Sequence, residues 1–319
     1  MSDACLLADI GATNARFQLG DRHGWLSEPV VFSTTEFSDV ADLFAAVKAA
    51  LPGPYARAVF AVAGPERAAG DFELTNTGLR FETGRCAQLL SCPVRVVNDF
   101  YAVAAALPWL ENLTQIGGAD AAQYHTKAVL GPGSGLGMAI LHADRGGHWH
   151  VLSGEGGHAD LAPATHLETE LWSVLTQEFG HVSLETVLCG SGLVNLYEAM
   201  CVTWGMPAEP LTAAQISAQG SSMESLVCHQ TLETFFGLLG GAAGNLALTA
   251  GARGGIYIAG GIVPRMTDFA VSSPLRRRFD DKGVMRHFVE PIPLYLVLDE
   301  NPGLLGARAC LLQDSESLG

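Results

Sequence analysis

The stretch that closes the first hydrophobic segment reads Asp9-Ile10-Gly11-Ala12-Thr13-Asn14, and Cys5-Leu6-Leu7-Ala8 leads into it. A second glycine-rich stretch, Gly131-Pro132-Gly133-Ser134-Gly135-Leu136-Gly137, follows Ala128-Val129-Leu130 in the same way, and Ala259-Gly260-Gly261-Ile262 is a third. Glycine tolerates positive φ and has no Cβ, so turns of this kind let backbone N–H groups approach an anion closely. Three such turns in this order predict a nucleotide held between two halves of a protein.

The composition is that of a folded protein with a sizeable core. The chain has 319 residues, of which 48% are hydrophobic and 16% are charged. A size of roughly 100–200 residues per domain then predicts two domains. The formal net charge of −15 disfavours nucleic acid and anionic membrane surfaces, so we expect neither as a partner.

Cysteine usage and the N-terminus indicate the compartment. Seven cysteines are scattered without a Cys-x-x-Cys pair, which is typical of unpaired thiols in a reducing environment. The N-terminus carries Asp3 and Asp9 and has no basic region, unlike a signal peptide. The uncharged run from Phe235 to Ala252 is diluted by glycines, which favours a buried helix over a membrane span. We therefore expect a cytoplasmic protein.

Hydrophobic periodicity predicts the same order of elements in both halves of the chain. Each half starts with two strands around a glycine turn and continues with alternating helices and strands, which is an α/β pattern. We place the boundary near Pro108–Glu111, with a smaller domain over 1–109, joined by the returning C-terminal helix 303–319, and a larger one over 110–302. The predicted strands are 6–10, 15–19, 58–63, 94–97, 128–130, 138–142, 148–152, 256–259 and 294–298, and the predicted helices are 39–51, 100–107, 167–179, 183–188, 191–203, 223–250 and 304–312.

Several common nucleotide and hydrolase motifs are absent from the sequence. No Gly-Lys dipeptide occurs, so there is no Walker A loop, and position 136 in the second turn is Leu where G-x-G-x-x-G needs Gly. No G-x-S-x-G stretch occurs either. P-loop NTPases, simple Rossmann dehydrogenases and α/β-hydrolases therefore lose support.

Asp9 opens the first turn. Its carboxylate would repel a phosphate bound at the turn unless a cation lay between the two groups. Mg²⁺, held by Asp9 through water, is the functional interpretation, because Mg²⁺ keeps several of its waters in proteins. The alternative is an Asp that caps a tight turn. Gly11 and Thr13, which follow directly, favour the cation.

Asn98-Asp99 stands at the end of a predicted buried strand, which is where open α/β sheets bind ligands. A carboxylate there accepts a proton from a substrate hydroxyl if it comes within about 3 Å. The alternative is a helix N-cap, which is by itself the commoner role of Asn and Asp at such a position.

Three further stretches carry polar side chains suited to a sugar. Gly154-Glu155-Gly156-Gly157-His158 places an acid and an imidazole in a flexible loop, where they are able to bind hydroxyls by charge-assisted hydrogen bonds. Thr75-Asn76 either contacts substrate or forms an Asx turn. Glu185 starts a predicted apolar helix, and a solvated N-terminal Glu is the alternative to a ligand.

Taken together, these stretches resemble the bacterial glucokinase family of the hexokinase and actin-like ATPase superfamily. The matching motifs occur in the family's order from residue 8 to about residue 306, which is nearly the whole chain. They are Ala8 to Arg16, Leu74-Thr75-Asn76, Val97-Asn98-Asp99-Phe100, Gly131 to Gly137, Gly154 to His158, Ser183-Leu184-Glu185, Gly192 to Tyr197, Gly244 to Leu248, Ile258 to Arg265 and Asn301 to Gly306.

The resemblance implies a fold, a reaction and a set of site residues. The fold is the two-domain actin-like ATPase (ribonuclease H-like) fold with a ligand cleft between the domains. The reaction is transfer of the γ-phosphoryl group of ATP to the 6-hydroxyl of glucose, the first step of glycolysis, with Mg²⁺ as cofactor; a homodimer is common in the family. Asp99 is then the general base, and Thr75, Asn76, Asn98, Asp99, Glu155, His158 and Glu185 bind the sugar. The nucleotide residues are Ala8, Asp9, Ile10, Gly11, Ala12, Thr13, Asn14, Gly133, Ser134, Gly135, Gly260 and Gly261.

Two positions depart from the family pattern, and two alternatives stay open. Ala12 stands where the first turn usually has a second Gly, and its methyl group bears on nucleotide affinity; Ser134 stands where Thr is usual and keeps the hydroxyl. The alternatives are a kinase of another hexose and a non-enzymatic sugar sensor on the same fold. Such sensors usually carry a DNA-binding domain, for which the acidic charge is unsuited.

Overall fold

The computed structural model of the protein describes residues 4–64, 66–68, 70–74, 77–120 and 125–316. The chain divides into two units of mixed helix and strand. Unit 1 comprises Met1–Glu111, Asp144–Ser153 and Asp299–Gly319, and unit 2 comprises Asn112–Ala143 and Gly154–Leu298. The predicted domain boundaries, 1–109 with 303–319 and 110–302, stay a prediction.

Strands and helices alternate along the chain, with more elements than the periodicity predicts. In the first third they are β1 (Cys5–Ile10), β2 (Asn14–Gly20), β3 (Val30–Ser33), α1 (Val40–Ala50), β4 (Arg57–Val62), β5 (Glu66–Ala68), β6 (Asp71–Glu73), β7 (Arg80–Glu82), α2 (Thr83–Leu90), β8 (Val94–Asn98) and α3 (Asp99–Ala106). The rest are β9 (Leu113–Gln115), β10 (Lys127–Pro132), β11 (Leu136–Ala143), β12 (Trp149–Gly154), α4 (His166–Phe179), α5 (Gly190–Thr203), α6 (Ala213–Ser221), α7 (Leu226–Ala250), β13 (Ile256–Ile258), α8 (Thr267–Ser272), α9 (Leu275–Asp280), α10 (Arg286–Val289), β14 (Leu294–Val297) and α11 (Pro302–Glu316).

The main sheet of unit 1 has the strand order β3-β2-β1-β4-β8. β1 pairs antiparallel with β2 and parallel with β4, and β4 pairs parallel with β8. Side chains alternate across a strand, so β1 feeds two cores. Leu6 and Ile10 pack in one core with Phe44 of α1, whereas Leu7 packs in the other with Leu304 of α11. The strand is therefore apolar apart from Asp9 near its end.

The main sheet of unit 2 repeats this arrangement. β10 pairs antiparallel with β11 and parallel with β13, which pairs parallel with β14, and β9 adds an antiparallel edge. Helices α5, α7 and α9 contribute to its core. The uncharged run from Phe235 to Ala252 lies in α7 as far as Ala250, and Phe235 and Phe236 are fully buried there. No helix in the described parts of the chain is long and apolar enough to cross a membrane.

The predicted helix over 183–188 is wrong. This segment is a bridge followed by turns, in which Ser183 pairs with Asp160. The backbone N–H of Glu185 donates to Gly157 O at 2.8 Å and so is committed to a neighbouring loop. Apolar residues at 184, 187 and 188 resemble a helix pattern, but a tertiary backbone contact decides the conformation. The predicted helix over 223–250 also starts too early, because α7 begins at Leu226.

Candidate active site

The candidate site of unit 1 lies at the carboxyl edge of its parallel strands. Ile10, Val62 and Asn98 are aligned across β1, β4 and β8 by the register of the sheet. The strands end together at this edge, which is where α/β sheets bind ligands. The turn after β1 and the pair Asn98-Asp99 are thereby brought to one place from distant parts of the sequence.

The first glycine turn joins β1 to β2 in a tight hairpin. Gly11 N donates to Asn14 O at 2.9 Å, which closes the turn. Thr34 holds it from outside, because its N–H donates to Thr13 O and its hydroxyl to Ala12 O. Among the described residues the non-glycine positions with positive φ are Ser91 and Met223. Ala12 therefore sits in a backbone conformation that its methyl group tolerates.

Asp9 is half-buried at the end of β1, with its carboxylate against the first turn of α11. A Cβ built on Gly303 would lie 2.5 Å from Asp9 Cγ, so a larger residue there would displace the carboxylate. Burial raises the pKa of Asp9, and the charge of Arg16 partly opposes this. Among the described residues no donor forms a hydrogen bond to the carboxylate. A half-buried carboxylate of this kind is a hard oxygen donor, which fits a hydrated Mg²⁺.

Asn98 and Asp99 occupy the junction between β8 and α3. Asn98 is the N-cap of α3, since its Oδ1 accepts from Phe100 N at 2.9 Å and from Tyr101 N at 3.2 Å, and its Nδ2 donates to Gly64 O at 3.3 Å. Asp99 Oδ1 also accepts from Phe100 N. These bonds fix both side chains at the sheet edge, so capping and a catalytic role are compatible here. Thr75 and Asn76 lie outside the described residues.

The second glycine turn lies in unit 2, between β10 and β11. Gly133 N donates to Gly135 O at 2.8 Å, and Gly190 N, at the start of α5, donates to Gly133 O at 2.9 Å. Gly260 has a φ of +86°, and a Cβ there would lie 2.4 Å from Pro132 O. The second and third glycine turns thus pack on each other through a position that only glycine occupies. Ser134 and Gly261 are exposed.

Three predicted sugar residues lie beside the second turn. Glu155 precedes a short 3₁₀ helix, Gly156–His158, and its carbonyl accepts from His158 N at 3.0 Å. Both side chains are exposed. Glu185 Oε1 lies 4.0 Å from His158 Nδ1, and Glu185 Oε2 accepts from Leu136 N at 2.7 Å. In unit 2 the His158 imidazole and the Glu185 carboxylate therefore lie near each other, and the carboxylate is hydrogen-bonded to the second glycine turn.

Sequence reasoning missed two residues that shape these sites. Gly303 makes room for the Asp9 carboxylate, and Gly190 donates its N–H to the second turn. Gly303 lies within the stretch Asn301-Pro302-Gly303, which is part of a family-like motif. The motif alone predicted no role for this glycine. A glycine directly after proline at a helix start, where glycine disfavours the helix, is the signal that points to a close approach.

Comparisons with known proteins cover nearly the whole chain. The family model described as "Glucokinase" matches residues 6–314. The glucokinase of Chromobacterium violaceum is 42% identical over 312 residues, which are 96% of this chain and 88% of that one. The crystal structure of a glucokinase from an Antarctic psychrotroph is 39% identical, with a TM-score of 0.87 over 98% of this chain and 99% of that chain.

A more distant structure shares the fold. The glucokinase from Balamuthia mandrillaris, solved in complex with glucose, has a TM-score of 0.78 at 21% identity, covering 97% of this chain and 93% of that chain. The family model spans almost all of the sequence, and the bacterial relative exceeds two-fifths identity over most of its length. The chain belongs to the glucokinase family.

Proposed function

We propose that the protein catalyses its family's reaction, the ATP-dependent phosphorylation of glucose at the 6-hydroxyl, with Asp99 as the general base. The observation that carries this proposal is the register Ile10, Val62, Asn98, which aligns the ends of three strands. This register brings the half-buried Asp99 carboxylate, at the start of α3, to the same sheet edge as the glycine turn after Asp9. A base and an anion-binding turn at one edge are the parts that phosphoryl transfer needs.

The mechanism follows from these positions. Asp99 orients the 6-hydroxyl and accepts its proton as the oxygen attacks the γ-phosphorus, and ADP leaves with the bridging oxygen. Backbone N–H groups of the glycine turns stabilise charge on the transferring phosphoryl oxygens. Asp9 would hold hydrated Mg²⁺, which neutralises phosphate charge when bound.

The remaining site residues divide between sugar and nucleotide. We assign the sugar hydroxyls to polar side chains of both units and the phosphates and adenosine to the glycine turns. The family's actin-like ATPase fold, in which ligands bind in a cleft between two domains, is part of the proposal, as is a cytoplasmic homodimer. The sugar residues are Thr75, Asn76, Asn98, Glu155, His158 and Glu185, and the nucleotide residues are Ala8 to Asn14, Gly133 to Gly135, Gly260 and Gly261.

The test is ADP production by the purified protein with Mg-ATP, with and without sugar. Glucose, mannose, fructose and N-acetylglucosamine are compared at equal concentration, and omission of Mg²⁺ is the control. We expect strong turnover with glucose and much weaker turnover with the other sugars. Turnover that favours another sugar would make the protein a different hexose kinase. Glucose binding by calorimetry without turnover would favour a sensor.

A further inference from the structure

The Glu185 carboxylate contacts the backbone of the second glycine turn directly. Its Oε2 accepts from Leu136 N at 2.7 Å, a charge-assisted bond to the residue that begins β11. A Cβ built on Gly135 would lie 2.5 Å from the same oxygen and 3.2 Å from Cδ. The carboxylate therefore rests against the chain at Gly135 and Leu136, on the turn that we assign to phosphate.

The other carboxylate oxygen faces the loop that we assign to sugar. Glu185 Oε1 lies 4.0 Å from His158 Nδ1, and the two side chains are 32% and 62% exposed, respectively. The Glu185 backbone N–H also donates to Gly157 O at 2.8 Å. One residue thus joins the sugar loop to the phosphate turn through both its backbone and its side chain.

The segment that carries Glu185 holds the turn at a second point. Gly190 N donates to Gly133 O at 2.9 Å, five residues along from Glu185. Between the two bonds, the Cys189 thiol donates to Glu185 O at 3.2 Å. Both sides of the turn, at Gly133 and at Leu136, are therefore fixed to one short segment.

We propose that Glu185 is a positioning residue for the phosphate turn and couples hexose binding to nucleotide binding. A hexose hydroxyl on Oε1 restricts the carboxylate, and the restricted carboxylate holds Leu136 N–H and the turn in its binding conformation. This inference rests on the proposed function, since it takes hexose and nucleotide as the two ligands. Coupling between two ligands is reciprocal, so each must strengthen the binding of the other.

The first experiment measures nucleotide affinity without sugar. Mg-ADP is titrated calorimetrically into wild type, Glu185→Ala and Glu185→Gln. Alanine leaves Leu136 N–H without its acceptor, whereas the glutamine carbonyl oxygen still accepts that bond. We expect the Kd for Mg-ADP to rise about three- to tenfold in Glu185→Ala and to stay within about twofold in Glu185→Gln. A residue that binds only sugar would leave both values unchanged.

The second experiment reverses the direction of the test. Gly135→Ala inserts a methyl group where the mobile end of Glu185 now lies, so the carboxylate must move away. Gly24→Ala is the control, because nothing lies within 4 Å of its added Cβ. The Kd for glucose is measured with and without saturating Mg-ADP, so that a direct loss of the sugar contact is separated from a loss of coupling. We expect Mg-ADP to tighten glucose binding about three- to tenfold in wild type and in Gly24→Ala, and to change it less than about twofold in Gly135→Ala.

The outcomes separate this inference from the proposed function. Unchanged Mg-ADP affinity in Glu185→Ala, or an equal effect of Mg-ADP on glucose affinity in Gly135→Ala and Gly24→Ala, overturns the coupling while wild-type turnover with glucose stands. Absence of wild-type turnover overturns the proposed function instead. Thermal melts of each variant show that it is folded, and the comparison of Gly135→Ala with Gly24→Ala decides the matter if Glu185→Ala does not fold.

Discussion

The Asp9 carboxylate lies against Gly303 in the unit 1 site. The Cβ of Gly303→Ala would lie 2.5 Å from Asp9 Cγ and 2.7 Å from each carboxylate oxygen, so the carboxylate must turn away. We expect the KM for Mg-ATP to rise about tenfold, a loss of about 1.4 kcal/mol. Steady-state kinetics with saturating glucose measures this. Gly24→Ala is the control, since nothing lies within 4 Å of its added Cβ; equal KM values in the two variants would refute the contact's role.

Lys127 is a buried cation that predicts a specific pH dependence of stability. Its ammonium donates to Gly254 O at 3.2 Å and to the Tyr257 hydroxyl at 3.1 Å, and burial lowers its pKa from 10.5. Between the lowered pKa and 10.5 the unfolded chain binds a proton that the folded chain releases. The free energy of unfolding therefore rises with pH through that window, by at most about 1.4 kcal/mol per pH unit.

Lys127→Met removes the titrating group and keeps the length of the side chain. We therefore expect this variant to lack the rise in the free energy of unfolding with pH that Lys127 causes in wild type. Urea unfolding at several pH values below 10.0 makes the comparison, because burial raises the pKa of Tyr257 and confines its effect to higher pH. Parallel pH profiles for wild type and Lys127→Met would contradict a lowered Lys127 pKa.

Helices α11 and α3 pack closely against each other at Gly306. A Cβ built on Gly306 of α11 would lie 1.9 Å from Ala102 O of α3, and backbone atoms cannot yield as a flexible side chain does. We expect Gly306→Ala to lower the free energy of unfolding by about 2–3 kcal/mol or more. The displaced α3 also carries Asp99 at its first turn, so kcat should fall as well.

Gly84→Ala in α2 is the matched control for this contact. Nothing lies within 4 Å of its added Cβ, and Ala favours a helix over Gly, so we expect a stabilisation of about 0.5 kcal/mol. Urea unfolding curves of the two variants give both values. Similar free energies of unfolding in Gly306→Ala and Gly84→Ala would show that the helix contact tolerates a methyl group.

The elements that the sequence predicts correctly are those whose pattern is set by their own burial. Cys5 to Ala8 in β1 and Ala58 to Val62 in β4 are continuous apolar runs because both faces of the sheet are covered, and α1 shows its buried stripe at helical spacing. The helix α2 escaped prediction because it buries only Cys86 and Leu90.

Errors arise where a distant partner decides the structure. Arg276-Arg277-Arg278 is a basic run whose pattern predicts a solvated helix face. The Arg278 side chain is nevertheless only 11% exposed and pairs with Glu168 at 3.1 Å. That partner is 110 residues away in the sequence. No local pattern contains this information, and the same holds for the Glu185 contacts that replace the predicted helix.

In the molecule as a whole, two sheets repeat one arrangement of a hairpin followed by parallel strands. The sequence shows this repeat through its glycine turns, because each turn must end a buried strand where the backbone reverses. The sequence also shows that an amide and a carboxylate lie at the candidate site, because Asn98-Asp99 stands where a buried strand ends. It does not show which glycines leave space for a carboxylate, as Gly303 and Gly135 do, because that depends on packing.

The central claim is that Asp99 takes the proton from the attacking hydroxyl, and kcat of Asp99→Asn tests it most directly. Asparagine keeps the shape of the side chain and removes the base. With Mg-ATP and glucose saturating, we expect kcat to fall about 10²–10⁴-fold, while the calorimetric Kd for glucose stays within about threefold of wild type. Asp42→Asn, on the exposed surface of α1, should leave kcat unchanged. A near-wild-type kcat in Asp99→Asn would contradict the claim.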